Sequence, residues 1–149
     1  MKNKLFNTPF EAGLRSLLVL SVFASDSATI DRIAAYDFIS IYGKDFGISE
    51  FNLHGNNVFN FSEFPAKRSL ITDGVKQEVL DGMANVSRTS SGFKYRLSKS
   101  GFAFVESLNT SYSEQYLDTL RKVDRTYRGL SDIELMNVIN RKALTALKR

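Results

Sequence analysis

A chain of 149 residues with 43% apolar content is long enough to bury one core without metals or cross-links. It contains no cysteine, which excludes disulfides, thiolate metal sites and cysteine nucleophiles together and agrees with a reducing, cytoplasmic setting. The net charge of +4 is uneven, with seven Lys/Arg against eight Asp/Glu up to Val75 and thirteen against eight from Lys76 onward, so the second half is the one a phosphate backbone or an acidic partner would attract.

Met1 to Phe6 lack the apolar stretch of a signal peptide, and the longest apolar run, Leu17 to Ala24, is too short to span a bilayer. A first helix is expected from Pro9 to about Ala24. Thr8 is placed to cap it, Pro9 sits where its missing donor costs nothing, and Glu11 completes a capping box. Phe10, Leu14, Leu17, Leu18 and Val22 recur at helical spacing, with Val19, Leu20 and Phe23 widening the face, so all of them are expected in the core.

A second helix is predicted over Ile30–Tyr42, capped by Thr29 and ended by Gly43, with Ile30, Ile33, Ala34, Phe38 and Ile41 on one side. Asp37 falls inside that stripe. A carboxylate there needs a partner, and Arg15, beside the apolar face of the first helix, is a candidate. Residues 44–64 form a long connection rich in phenylalanine, too aromatic to be a disordered linker and expected to pack on the surface as an insertion.

A third helix is expected from Pro65 to Ala84, burying Leu70, Ile71, Val75, Val79, Leu80 and Met83. Gly74 and Gly82 should weaken it by roughly 1 kcal/mol each relative to alanine. Val86 to Thr89, a Ser90-Ser91-Gly92 turn, and the alternating Phe93-Lys94-Tyr95-Arg96-Leu97 read as a β-hairpin. Ser98 then caps a helix through Phe102, Val105 and Leu108. Three helices, a hairpin and a helix are the order of a winged helix. The expected fold is therefore α+β and mainly α-helical, with a winged-helix-like domain over 1–109 and a C-terminal helical extension over 110–149. That extension comprises Glu114 to Arg128, with Tyr116, Leu120, Val123 and Tyr127 on one side, and Asp132 to Leu147, opened by a Ser131/Glu134 capping box. It is expected to pack on the domain or on a partner.

Catalysis finds little to work with. His54 is the only histidine, expected in a surface loop, so no histidine triad or multi-histidine metal site can form. Glu63, Asp73, Glu78 and Asp81 fit a solvated helix face, and Gly43-Lys44 lacks the rest of a phosphate-binding loop. No enzymatic activity, cofactor, metal or small-molecule substrate is expected. The binding features are stronger. Arg88, Lys94 and Arg96 on the hairpin, and Arg121, Arg125 and Arg128 on one face of the following long helix, are candidate contacts for DNA or an acidic partner. The third helix mixes Lys67, Arg68 and Lys76 with acids and would read bases poorly, so any DNA binding is expected to be sequence-independent. On the last helix, Ile133, Met136, Ile139, Ala143 and Leu147 make one expected core stripe. Leu135, Val138 and Leu144 stand outside it as a candidate subunit interface.

The segments Asn7-Thr8-Pro9-Phe10-Glu11-Ala12-Gly13-Leu14-Arg15, Ile30-Asp31-Arg32-Ile33-Ala34-Ala35-Tyr36-Asp37-Phe38, Phe93-Lys94-Tyr95-Arg96-Leu97 and Gly129-Leu130-Ser131-Asp132 occur in an order that resembles the middle component of bacterial ABC three-component systems. Those systems include the Lamassu type of anti-phage and anti-plasmid defence. The resemblance implies a small accessory subunit joining an SMC-like ABC ATPase to an effector, often a nuclease, and it carries no catalytic residue onto this chain. The residues alone leave a second reading open, a winged-helix DNA-binding transcriptional regulator.

Overall fold

Every helix start but that at Phe64, where Glu63 makes no capping bond, is written in a hydroxyl three residues ahead of the amide it accepts. Thr8 Oγ1 accepts the Glu11 amide at 3.1 Å, Thr29 that of Arg32 at 3.2 Å, Ser98 that of Gly101 at 3.0 Å and Thr110 that of Ser113 at 3.0 Å. Ser131 and Glu134 cap each other reciprocally at 3.2 and 2.8 Å. The computed structural model describes residues 8–24, 26–54 and 63–147. Their order is α1 (Pro9–Val22), α2 (Ile30–Ile41), α3 (Phe64–Leu80), β1 (Ala84–Thr89), β2 (Gly92–Leu97), α4 (Lys99–Ser107), α5 (Ser111–Tyr127) and α6 (Asp132–Leu147). The mainly helical α+β class expected from the sequence is the one observed. Helix α5 begins three residues before the expected Glu114, because Thr110 supplies the cap.

Helix α2 is the centre of the packing, with every residue from Ile33 to Ile41 buried and α1, α3, α5 and α6 all against it. Asp37 lies on it at 1% exposure, and Arg15 of α1, at 4%, donates its Nε to Asp37 Oδ1 at 2.8 Å. The Tyr116 hydroxyl of α5 donates to the same oxygen. A buried charge is tolerated only when paired and hydrogen-bonded, and here three helices contribute to one cluster. From the connection, Phe46 packs edge-on against Phe38 with centroids 6.3 Å apart, and Phe64 does so at 5.1 Å. Phe59 and Phe61 lie outside the described residues.

Helix α1 crosses α3 at two glycines. A Cβ on Gly74 would lie 2.5 Å from the Gly13 nitrogen and 2.6 Å from the Pro9 carbonyl oxygen. Gly74, expected only to weaken its helix, is thus what lets two backbones meet. Gly82 does not lie inside the helix: at φ +80° it follows the Asp81 cap and ends α3 four residues before the expected Ala84. Leu80 consequently falls on the last turn and is 79% exposed rather than buried. Phe10 likewise sits in the first turn of α1, before burial begins at Ala12, and is 66% exposed.

The hairpin is antiparallel, pairing Ala84 with Leu97 and Thr89 with Gly92, and Gly92 adopts φ +102° at the turn. On the other edge of β2, Ala28 and Tyr95 exchange two backbone hydrogen bonds of 2.8 Å. That single bridge ties the α1–α2 linker to the hairpin.

Candidate functional site

The α1–α2 linker, β2 and the C-terminal turns of α5 leave an open groove of about 610 Å³ between them. Its walls carry Arg32 and Tyr36 from α2, Lys94 from β2, Asp124 and Arg128 from α5, and Asp26 from the linker. A second hollow of about 260 Å³ shares Val22, Asp124 and Arg128 with it and adds Arg121 and Arg125. Among the described residues five cations therefore face this surface against two carboxylates.

One of those carboxylates is already committed. Asp124, 4% exposed, accepts the Tyr36 hydroxyl at 2.8 Å and the Arg128 Nε at 3.2 Å. Burial, followed by the bond to Asp124, holds the Tyr36 hydroxyl well above its ordinary pKa, so it stays a neutral donor. The same carboxylate raises the pKa of Arg128. Arg121 is paired with Asp118 at 3.2 Å, an exposed contact of little strength. Among the described residues neither Arg125 nor Lys94 has an ion-pair or hydrogen-bond partner.

Arg32 was no candidate in the sequence, and its role is tertiary. Its Nε lies 3.2 Å from Asp132 Oδ1, its Nη2 donates to the Leu130 carbonyl, and its guanidinium stands 5.7 Å from the centre of the Tyr36 ring. Its Nη1 is buried with no partner among the described residues. The only local signal was the four-residue spacing of Arg32 and Tyr36, which puts both on one face of α2.

The hairpin cations do not act as a set. Side chains alternate between the two faces of a strand pair, and the register places Arg88 with Val86, Phe93 and Tyr95, whereas Lys94 and Arg96 share the opposite face. Lys94 alone among the three lines the groove. Arg121, Arg125 and Arg128, as the α5 spacing indicated, all line the adjoining hollow, and Arg128 lines the groove as well.

Leu135 is a correction. It is fully buried with Ile139 in the chain's own core, while Ile133, expected there, is 75% exposed. The cause is the anchoring of the α6 N-terminus: Asp132 accepts the Thr29 hydroxyl at 2.6 Å and pairs with Arg32, which fixes the rotation of the helix. Val138 is partly buried against the core, and Leu144 is 59% exposed. His54 is a second correction. Instead of lying in a free surface loop, its ring stacks on Tyr112 at 5.7 Å, and its Nε2 is 2.7 Å from the Tyr112 hydroxyl. Burial lowers its pKa to about 4.

Among the described residues no group of three or more His, Asp or Glu side chains could hold a metal ion, and no helix is long and apolar enough to cross a membrane. The family model described as ABC-three component (ABC-3C) system Middle Component 2 matches residues 5–149. No curated protein and no solved structure matches the chain.

Proposed function

Because the chain belongs to the Middle Component 2 family of ABC-three component systems, we propose that it is a non-catalytic accessory subunit joining an SMC-like ABC ATPase to an effector nuclease in a cytoplasmic, Lamassu-type defence complex. What supports this most is the extent of the match: residues 5–149 are covered, so nearly the whole chain, rather than one module of it, corresponds to the middle component. The outer face of α6 adds a place to dock. Ile133, Asn137, Asn140 and Leu144 follow the helical period and are all exposed, and the two apolar members are 75% and 59% accessible. Covering them removes apolar area from water at roughly 25 cal/mol per Å² before the entropic costs of association.

The regulator alternative draws on the helix–hairpin order and on the Ala28–Tyr95 bridge. It requires α3 to present cations to base edges. Lys67 is buried, and Arg68 is tied to Asp31 at 2.6 Å, which leaves Lys76 as the exposed cation of that helix without a carboxylate among the described residues. A reader of bases needs more.

Coexpression of the tagged chain with the ATPase and effector of its own system decides between them. All three should copurify, and Ile133→Ser with Leu144→Ser should release the tagged chain while leaving its melting temperature unchanged. An ATPase–effector complex that forms without this chain, or an operator sequence bound by the chain alone, would overturn the assembly role.

A further inference from the structure

The cations of the groove are supplied by α2, β2 and α5, and their placement says what they can hold. Along α5, Arg121, Arg125 and Arg128 extend over about 10 Å at 1.5 Å per residue. Lys94 comes from β2, on a separate wall of the groove that Arg128 also lines, and Arg32, held by Asp132 and the Leu130 carbonyl, adds its positive charge to that groove. We infer that this groove seats the phosphate backbone of duplex DNA without reading its sequence.

Three observations favour a nucleic-acid backbone over an acidic protein segment. First, cations spread over three elements match a polyanion with charge at constant spacing, one per about 1.7 Å of duplex axis, better than a short run of acids. Second, the groove lining is mostly polar, whereas pockets that grip peptide or small-molecule side chains are mostly apolar. Third, Lys94 and Arg125 spend no charge within the described chain, and Arg121 spends its charge only in an exposed pair that a phosphate can replace. Among the described residues no asparagine or glutamine lines either hollow, so the surface has no side chain for bidentate pairing with adenine. The inference concerns the isolated chain and does not rest on its assembly with an ATPase.

Fluorescence anisotropy of the isolated protein with a labelled duplex of arbitrary sequence tests it across a salt series. With three to four phosphates neutralised, the log–log salt slope should be about −3, so a fourfold rise in salt weakens binding roughly sixty-fold. Lys94→Ala with Arg125→Ala should reduce the slope by about two and weaken binding by at least tenfold at low salt. Both side chains lack partners among the described residues, so this variant should melt with the wild type. Arg88→Ala, on the other face of the hairpin, should change affinity less than twofold. A loss on Arg88→Ala equal to that of the groove variant would move the contact to the hairpin tip and overturn the assignment. So would the absence of duplex binding at low salt, a preference above about tenfold for one sequence, or tighter binding of polyglutamate than of duplex, which would place an acidic protein segment in the groove.

Discussion

Gly74→Ala sets two physical effects against each other, and the structure decides the sign. Alanine is favoured over glycine in a helix interior by up to about 1 kcal/mol, so helix propensity alone forecasts a more stable protein. The added methyl, however, would sit 2.5 Å from the Gly13 nitrogen, 2.6 Å from the Pro9 carbonyl oxygen and 2.8 Å from the Gly13 Cα. All three are backbone atoms, so no rotamer change relieves the overlap, and α1 must shift away from α3. That shift disturbs the most extensive helix–helix contact of the fold and loosens the packing of Leu17 and Ile71, both 1% exposed. Overpacking of this kind costs about 1–3 kcal/mol, and three backbone overlaps place it at the upper end. The net expectation is a loss of about 2 kcal/mol, or a melting temperature lower by roughly 4–8 °C in a chain of this size. Circular dichroism melts of wild type and variant measure it. Gly82→Ala is the comparison: among the described residues nothing lies within 4 Å of its added Cβ, and only the φ of +80° is strained, at about 1–2 kcal/mol. A Gly74→Ala protein melting at or above the wild type would refute the close crossing of α1 and α3.

Two further substitutions probe the corrected positions. Leu135→Ala should cost about 2–5 kcal/mol in denaturant titrations, whereas Leu144→Ala should stay within about 0.5 kcal/mol, because only the former empties a buried site; equal effects would mean that α6 is rotated differently. His54 makes stability fall on acidification. The unfolded histidine takes up its proton near 6.5 and the folded one only near 4, so stability is lost as pH drops through that window, by up to about 1.4 kcal/mol per pH unit. Urea titrations at pH 7 and pH 5 should show a smaller difference for His54→Gln than for the wild type, and an unchanged difference would remove His54 from the titration.

The cationic surface was half visible beforehand. The spacing of Arg121, Arg125 and Arg128 put them on one face of α5, and they line the adjoining hollows together. Lys94 was grouped with Arg88 and Arg96 because the sequence shows three cations on one hairpin, but the pairing register separates them by face. Arg32 carried only its four-residue spacing from Tyr36 as a signal, since its place in the groove depends on α5 and β2 arriving beside α2. The same division runs through the fold. Capping bonds join residues three apart, so Thr8, Thr29, Ser98 and Ser131 announced their helices in the sequence alone. Asp37 needed a partner wherever it was buried, and Arg15 was the cation of the first helix placed to supply one. By contrast, the rotation of α6 is set by Asp132 reaching Thr29, 103 residues earlier in the chain. A helical stripe read along one segment cannot register such a contact, and so it left Ile133 in the core and Leu135 outside it. The environment of His54 was likewise decided by Tyr112, 58 residues away. Local hydrogen-bonding rules fix where elements begin, whereas the face each element buries is chosen by the long-range contacts that win when the elements meet.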